Sequence, residues 1–211
     1  MEKLLAGYQR FRELGWPDQR RLFESLAANG QKPSAMVVAC VDSRVDPSRI
    51  FDAPPGEMLV IRNMANLVPP YAPDVMYHGT SAALEFGVRV LQIPHIVVLG
   101  HGLCGGVSAL LQGAPHNARD FVAPWMSMAQ PARDLALLEA SPEDQQIACE
   151  HEVIRISLGN LMTFPWIAEA VRKGELTLHG AWFNIHTGVL TTLQPDGAFA
   201  PATELPAQAS Y

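Results

Sequence analysis

Val37-Val38-Ala39-Cys40-Val41-Asp42-Ser43-Arg44 is the stretch that decides the fold of this chain. It completes a short continuous apolar run that begins at Ala35 and contains two valines, a pattern typical of a strand buried on both faces of a parallel sheet. Cys40 falls at the carboxyl end of this strand. Because ligands of open parallel sheets bind just outside the carboxyl ends of strands, the sequence predicts a functional site here.

A second pair of candidate ligands follows another strand. His95 to Gly100 is an apolar run that predicts a buried strand, and His101-Gly102-Leu103-Cys104 forms the turn into a helix. Two thiolates and one imidazole suit Zn²⁺, and a set of three protein ligands leaves a fourth position for water. We therefore expect Cys40, His101 and Cys104 to meet at one edge of the sheet.

Asp42 and Arg44 add an acid-base group to this ligand set. Asp42 has two possible roles: it fills the fourth metal position, or it accepts a hydrogen bond from water bound there. The guanidinium of Arg44 favours the second role, because it would keep the carboxylate ionised and off the metal. The pattern indicates metal-assisted hydration or hydrolysis.

The remaining periodicity predicts an α/β fold with a central, mostly parallel sheet of about four strands, an antiparallel edge strand and flanking helices. Two helical patterns precede the first strand and end at Gly30, and their apolar faces exceed what one small sheet edge covers, so we expect them to pack on a partner subunit. The other expected strands are Met58 to Ile61, which we predict to be buried, and β segments after Leu176 that end in an antiparallel hairpin.

Composition narrows the class of protein. The chain has 211 residues, 48% of them hydrophobic, which predicts a single domain over residues 1–211. A net charge of −6 offers no basic face for nucleic acid, and no stretch is long and apolar enough for a membrane partner. No signal-peptide pattern opens the sequence, and three separated cysteines predict no disulfide framework, so we expect a cytoplasmic protein.

These motifs resemble those of the β-class carbonic anhydrases over nearly the whole chain. The matching segments are Cys40-Val41-Asp42-Ser43-Arg44, Pro55-Gly56-Glu57, Arg62-Asn63-Met64-Ala65-Asn66-Leu67, His101 to Gly106 and Leu178-His179-Gly180. The resemblance implies one Zn²⁺ per chain on Cys40, His101 and Cys104, with Asp42 and Arg44 as a gating dyad. It further implies reversible hydration of CO₂ to bicarbonate, with Gly105 as a backbone donor to substrate.

The plant-like branch of that family is the more similar one. Gln31 stands nine positions before Cys40 and, by this resemblance, hydrogen-bonds a substrate oxygen, while Met64 belongs to the substrate pocket. Leu59 and Phe86 stand where that branch usually carries phenylalanine and tyrosine, so the pocket loses a hydroxyl. A more apolar wall suits CO₂, but it also suits carbonyl sulfide or carbon disulfide, whose hydrolysis is an alternative activity.

Two other classes of protein fit the sequence less well. A structural zinc protein would need a fourth protein ligand and would not explain Arg44 beside Asp42, and a cysteine phosphatase would need its arginine in a longer phosphate-binding loop. The resemblance implies a homodimer or a higher even homo-oligomer. Its pocket then lies at a subunit boundary, with Gln31, Leu59 and Phe86 placed around zinc from more than one chain.

Overall fold

The computed structural model describes residues 1–113 and 115–202. Its centre is one six-stranded sheet in the order β2-β1-β3-β4-β5-β6. The strands are β1 (Ala35–Cys40), β2 (Met58–Asn63), β3 (His95–His101), β4 (Thr177–Phe183), β5 (Leu190–Leu193) and β6 (Phe199–Pro201). The first four pair in parallel, β5 pairs antiparallel with β4, and β6 pairs antiparallel with β5, which confirms the predicted sheet and its terminal hairpin.

Two helices precede the first strand, and the other helices lie between the strands along the chain. They are α1 (Glu2–Arg10), α2 (Trp16–Asn29), α3 (Pro47–Ile50), α4 (Gly79–Glu85), α5 (Gly105–Gln112), α6 (Val122–Ser127), α7 (Gln130–Glu139), α8 (Gln145–Leu161) and α9 (Pro165–Lys173). Among the described residues, no helix is both long and apolar enough to cross a membrane.

Strand β1 lies between β2 and β3, and this position decides where the site forms. Its residues from Met36 to Cys40 are buried, because strands pair on both sides and the side chains pack on both faces. The chain passes from β1 outward to β2 and then returns to the opposite side of β1 to form β3. The carboxyl ends of β1 and β3 are therefore the point at which the strand order reverses.

Two elements differ from the sequence predictions. Strand β2 was expected to be buried but is the edge strand, with Val60 38% exposed, because a continuous apolar run does not reveal whether a strand has one neighbour or two. Strand β6 pairs with β5 and was not predicted, since its three residues are too few to show a period.

The two predicted N-terminal helices join into one helical run. A π-helical turn over Phe11–Gly15 connects α1 to α2 without a break, and Pro17 directly follows this turn, where the regular i→i−4 hydrogen bonding is already interrupted. Gly30, at φ 76°, ends the run as predicted. No residue of α1 or α2 is buried, and Leu4 and Leu14 are 72% and 71% exposed, so most of the apolar face of this arm has no partner among the described residues.

The close contact between α8 and the sheet gives a stability prediction. A Cβ at Gly180 would lie 2.9 Å from Ile154 Cγ2 and 3.1 Å from Leu193 Cβ, and β4 is held by strands on both sides. We expect Gly180→Ala to lower the free energy of unfolding by about 1–3 kcal/mol in urea titrations. Gly159→Ala is the matched control on α8, because its Cβ would meet open space and should be neutral or slightly stabilising. Equal stability of the two variants would contradict this packing.

Candidate metal centre

Three side chains that could hold a metal ion meet at the reversal of strand order. Cys40 ends β1, His101 ends β3, and Cys104 is the N-cap residue of α5. Their ligand atoms all lie within 4.8 Å of one another, and the two Sγ atoms are 3.9 Å apart. All three residues are buried, so the structure brings together the three side chains that the sequence singled out.

The orientation of His101 fits a metal ligand. Its Nδ1 lies 2.8 Å from the carbonyl oxygen of Gly102, and because a carbonyl only accepts, Nδ1 must carry the proton. Nε2 is then an acceptor on the side of Cys40, and within the part of the chain that the structure describes it is buried without a hydrogen bond of normal geometry. A buried polar atom without a partner is costly, and a cation near the two sulfur atoms would satisfy it.

The contact between the two sulfur atoms favours a state in which one sulfur is ionised and the other keeps its proton. This contact lowers the pKa of Cys40, against the opposing effect of burial. The same contact, together with burial, raises the pKa of Cys104 far above its ordinary value. A cation that binds both sulfur atoms would displace this proton, so metal binding at the site should release protons.

Asp42 and Arg44 form a two-pronged ion pair beside the ligands. Arg44 Nε donates to Asp42 Oδ1 at 2.9 Å, Nη2 donates to Oδ2 at 2.7 Å, and the Arg44 amide also donates to Oδ1. These hydrogen bonds from Arg44 hold the pKa of Asp42 well below its usual range, so the carboxylate stays ionised. Arg44 Nη2 also donates to the Leu103 carbonyl, which ties the first ligand loop to the second.

Arg62 fixes the loop that follows Cys40. Its Nε donates to the Cys40 carbonyl at 2.9 Å, and its Nη2 donates to the carbonyls of Asp42 and Val45. Arg62 reaches them from β2, because it lies beside Ala39 in the sheet register. Sequence reasoning noted Arg62 only within a family motif and missed this role.

Glu150 on α8 supports the second ligand loop and was also missed. Its carboxylate is buried and accepts hydrogen bonds from the Cys104 amide, Gln146 Nε2 and Trp182 Nε1. Burial raises the pKa of Glu150, and the three donors act in the opposite direction. One signal was available: Glu150 lies among residues that form the buried face of α8, such as Val153 and Ile154.

The candidate pocket residues fall into two groups. Met64 packs against the cluster that contains Cys40 and Cys104 and lines a cavity of about 600 Å³, and Gly105 begins α5 with open space beside it. Leu59 is instead partly buried against a separate hydrophobic cluster that includes Met36 and Leu84. Phe86 is 46% exposed, and Gln31 is exposed in the loop after α2.

Comparisons with known proteins agree with this site. The sequence model of the carbonic anhydrase family matches residues 35–190. Beta carbonic anhydrase 3 of Arabidopsis thaliana is 34% identical over 211 residues, which covers 97% of this chain and 81% of that protein. The structure of the β-carbonic anhydrase CcaA superposes with a TM-score of 0.88 at 33% identity, covering 96% of this chain and 92% of that one.

A second solved structure extends the comparison. It is one of two tetrameric β-carbonic anhydrases of the filamentous ascomycete Sordaria macrospora, with a TM-score of 0.80 at 26% identity, covering 94% of this chain and 98% of that one. The fold, the cysteine and histidine ligands and these similarities define a single class. The chain belongs to the β-carbonic anhydrase family, a family of lyases that hydrate CO₂.

Proposed function

We propose that this chain is a zinc-dependent carbonate dehydratase that interconverts CO₂ and bicarbonate with release or uptake of a proton. The observation that carries the proposal is the meeting of the buried Nε2 of His101 with the sulfur atoms of Cys40 and Cys104, all within 4.8 Å of one another. These three side chains would hold one Zn²⁺ per chain. Bound zinc supplies a nucleophile at neutral pH by lowering the pKa of water from ~15.7 toward ~7.

The protein's own contribution begins with Asp42 and Arg44. The two guanidinium contacts leave Asp42 little rotational freedom and direct it away from coordination. An oriented, ionised carboxylate accepts a hydrogen bond from water or from the hydroxyl of bicarbonate. In this proposal Asp42 selects the productive orientation of that hydroxyl, and Arg44 holds Asp42 in place.

The substrate pocket is proposed to form between subunits. Met64 and Gly105 lie with the ligand loops of one chain, while Gln31 and Phe86 are exposed and Leu59 packs elsewhere. The apolar face of α1 and α2, largely uncovered by the rest of residues 1–113 and 115–202, and the tetrameric relative from Sordaria macrospora support a homodimer or a higher even assembly. A fully active monomer in analytical ultracentrifugation would contradict this arrangement.

Two alternative functions differ from CO₂ hydration in the reaction that the metal centre would support. Hydrolysis of carbonyl sulfide or carbon disulfide on the same centre is favoured by Leu59 and Phe86, since neither offers a hydroxyl to the pocket. A structural zinc site is disfavoured, because within residues 1–113 and 115–202 the ligand cluster contains three side chains rather than four.

The proposal is tested by stopped-flow assays of CO₂ hydration and carbonyl sulfide hydrolysis on one zinc-quantified sample. We expect kcat/KM for CO₂ to exceed that for carbonyl sulfide by about a hundredfold or more, with CO₂ hydration within the usual enzymatic range. A preference for carbonyl sulfide would replace the proposed activity with the first alternative. Tight zinc without either activity would indicate a structural site.

A further inference from the structure

The loop that carries His101 and Cys104 has a costly backbone conformation. Leu103 has a φ of 57°, in the left-handed region that a non-glycine residue adopts at a cost of about 1–2 kcal/mol. Such a conformation persists only where the surrounding structure holds it. At the His101 end, the Gly102 amide donates to the Phe183 carbonyl at 2.9 Å, which anchors that side of the loop to β4.

At the Cys104 end, two side chains of α8 reach the backbone of the residue. Glu150 Oε1 accepts from the Cys104 amide at 2.9 Å, and Gln146 Nε2 donates to the Cys104 carbonyl at 3.2 Å. Gln146 also donates to Glu150 Oε1 at 2.7 Å, which links the two contacts. The Cys104 carbonyl also accepts from the Ser108 amide of α5 at 2.9 Å, whereas its amide donates to Glu150 of α8, so α8 contributes to both main-chain polar groups of this candidate ligand.

The second oxygen of Glu150 extends this network. Oε2 accepts from Trp182 Nε1 at 3.0 Å. The indole ring of Trp182 packs against the ligand loop, since a Cβ at Gly102 would lie 3.2 Å from Trp182 Cζ2. One carboxylate thus connects the Cys104 amide with the ring that supports Gly102.

A structural role alone explains Glu150 poorly. It is 2% exposed, and all three of its donors are uncharged. A carboxyl group buried without a cationic partner costs free energy, and an apolar residue at this position of α8 would pack without that cost. A role in the site explains the carboxylate better, because Glu150 accepts a hydrogen bond from the backbone amide of the candidate ligand Cys104.

We propose that Glu150 is a positioning residue of the metal centre, which sets the backbone of Cys104 so that its sulfur meets Cys40 and His101. The inference rests on the metal-binding part of the proposed function and adds a residue to it. Outer contacts of this kind commonly change metal affinity by about 10- to 100-fold.

Glu150→Gln tests the proposal through metal binding. Two donors face Oε1, so the glutamine oxygen is expected on that side and its amide group would then oppose the N–H of Trp182. In equilibrium competition between the holoenzyme and a chromophoric zinc chelator, we expect zinc affinity to fall by about 10-fold or more. The thiolate-to-cobalt absorption band of the Co²⁺-loaded protein should shift as well.

A rescue variant and a control separate positioning from general destabilisation. Glu150→Gln combined with Trp182→Phe removes the opposed donor, so zinc affinity should recover most of the way to that of Trp182→Phe alone. Ser157→Ala is the control, because Ser157 is buried on the same helix and bonds Val68 and Asn66 rather than Cys104. It should lower the free energy of unfolding and leave zinc affinity and the cobalt spectrum unchanged.

Gln146→Met is a milder variant that keeps the test decisive if Glu150→Gln does not fold. It removes the contacts of Gln146 with Cys104 and Glu150 but keeps the Cys104 amide bond, so a several-fold loss of zinc affinity is expected.

The role is overturned by wild-type zinc affinity in Glu150→Gln or, if that variant does not fold, in Gln146→Met. It is also overturned by no recovery in the double variant, or by an equal loss in Ser157→Ala. Because these readouts are independent of CO₂ turnover, absence of CO₂ hydration would reject the proposed function without deciding this one.

Discussion

Replacing Cys104 with serine is expected to abolish tight zinc binding and to reduce CO₂ hydration by about a thousandfold or more. In the proposed site Cys104 would supply one of two sulfur ligands, and its Sγ lies 3.9 Å from that of Cys40 in a buried cluster. A serine hydroxyl is a harder and far less acidic ligand, so it does not replace a thiolate on zinc. Zinc per chain and stopped-flow CO₂ hydration are measured on the same preparation.

The third cysteine provides the control for this experiment. Cys149 lies fully buried on α8, and burial raises the pKa of its thiol to about 12, so it behaves as a core residue. Cys149→Ser should retain zinc and activity with some loss of stability. Retained catalysis in Cys104→Ser, or zinc loss in Cys149→Ser equal to that in Cys104→Ser, would refute the assignment of ligands.

Arg44→Ala is expected to lower kcat/KM for CO₂ by about 100-fold while zinc stays bound. The substitution removes both guanidinium contacts from Asp42 and leaves only the hydrogen bond from the backbone amide of residue 44. Asp42 is then free to turn toward the metal and to occupy the position required for water. Zinc analysis and stopped-flow kinetics over a range of pH measure the two parts of this expectation.

Arg44→Lys distinguishes charge from geometry in the same pair. Lysine keeps the positive charge but cannot bind both carboxylate oxygens as a planar fork, so an activity between those of wild type and Arg44→Ala is expected. Full activity in Arg44→Ala would remove Asp42 and Arg44 from the proposed chemistry. Loss of zinc in that variant would instead make the pair a structural support of the ligand loops.

Local sequence patterns predicted the parts of the structure that local physics decides. The apolar runs before Cys40 and His101 gave two buried parallel strands, and their carboxyl ends bring the ligands together. The antiparallel hairpin of β4 and β5 was also predicted. The edge position of β2 was not predicted, because the neighbours of a strand are set by the strand order of the whole sheet and not by the strand's own sequence.

The hydrogen bonds that hold the ligand loops could not be predicted from the sequence, because they join residues that lie far apart along the chain. Arg62 and Glu150 act on ligands 22 and 46 residues away, so only the tertiary structure reveals their hydrogen bonds. A carboxylate on the buried face of α8 was a visible signal, but it did not identify Cys104 as its partner. In the proposed assembly, Gln31, Leu59 and Phe86 would reach a pocket only beside a second subunit, which a pattern within one chain does not define.

Zinc K-edge X-ray absorption on zinc-quantified protein tests the central claim most directly. The account predicts one zinc per chain with two sulfur ligands near ~2.3 Å and two nitrogen or oxygen ligands near ~2.0–2.1 Å, one of them solvent. A shell of three or more sulfur atoms, a shell without sulfur, or protein that hydrates CO₂ without bound zinc would contradict it.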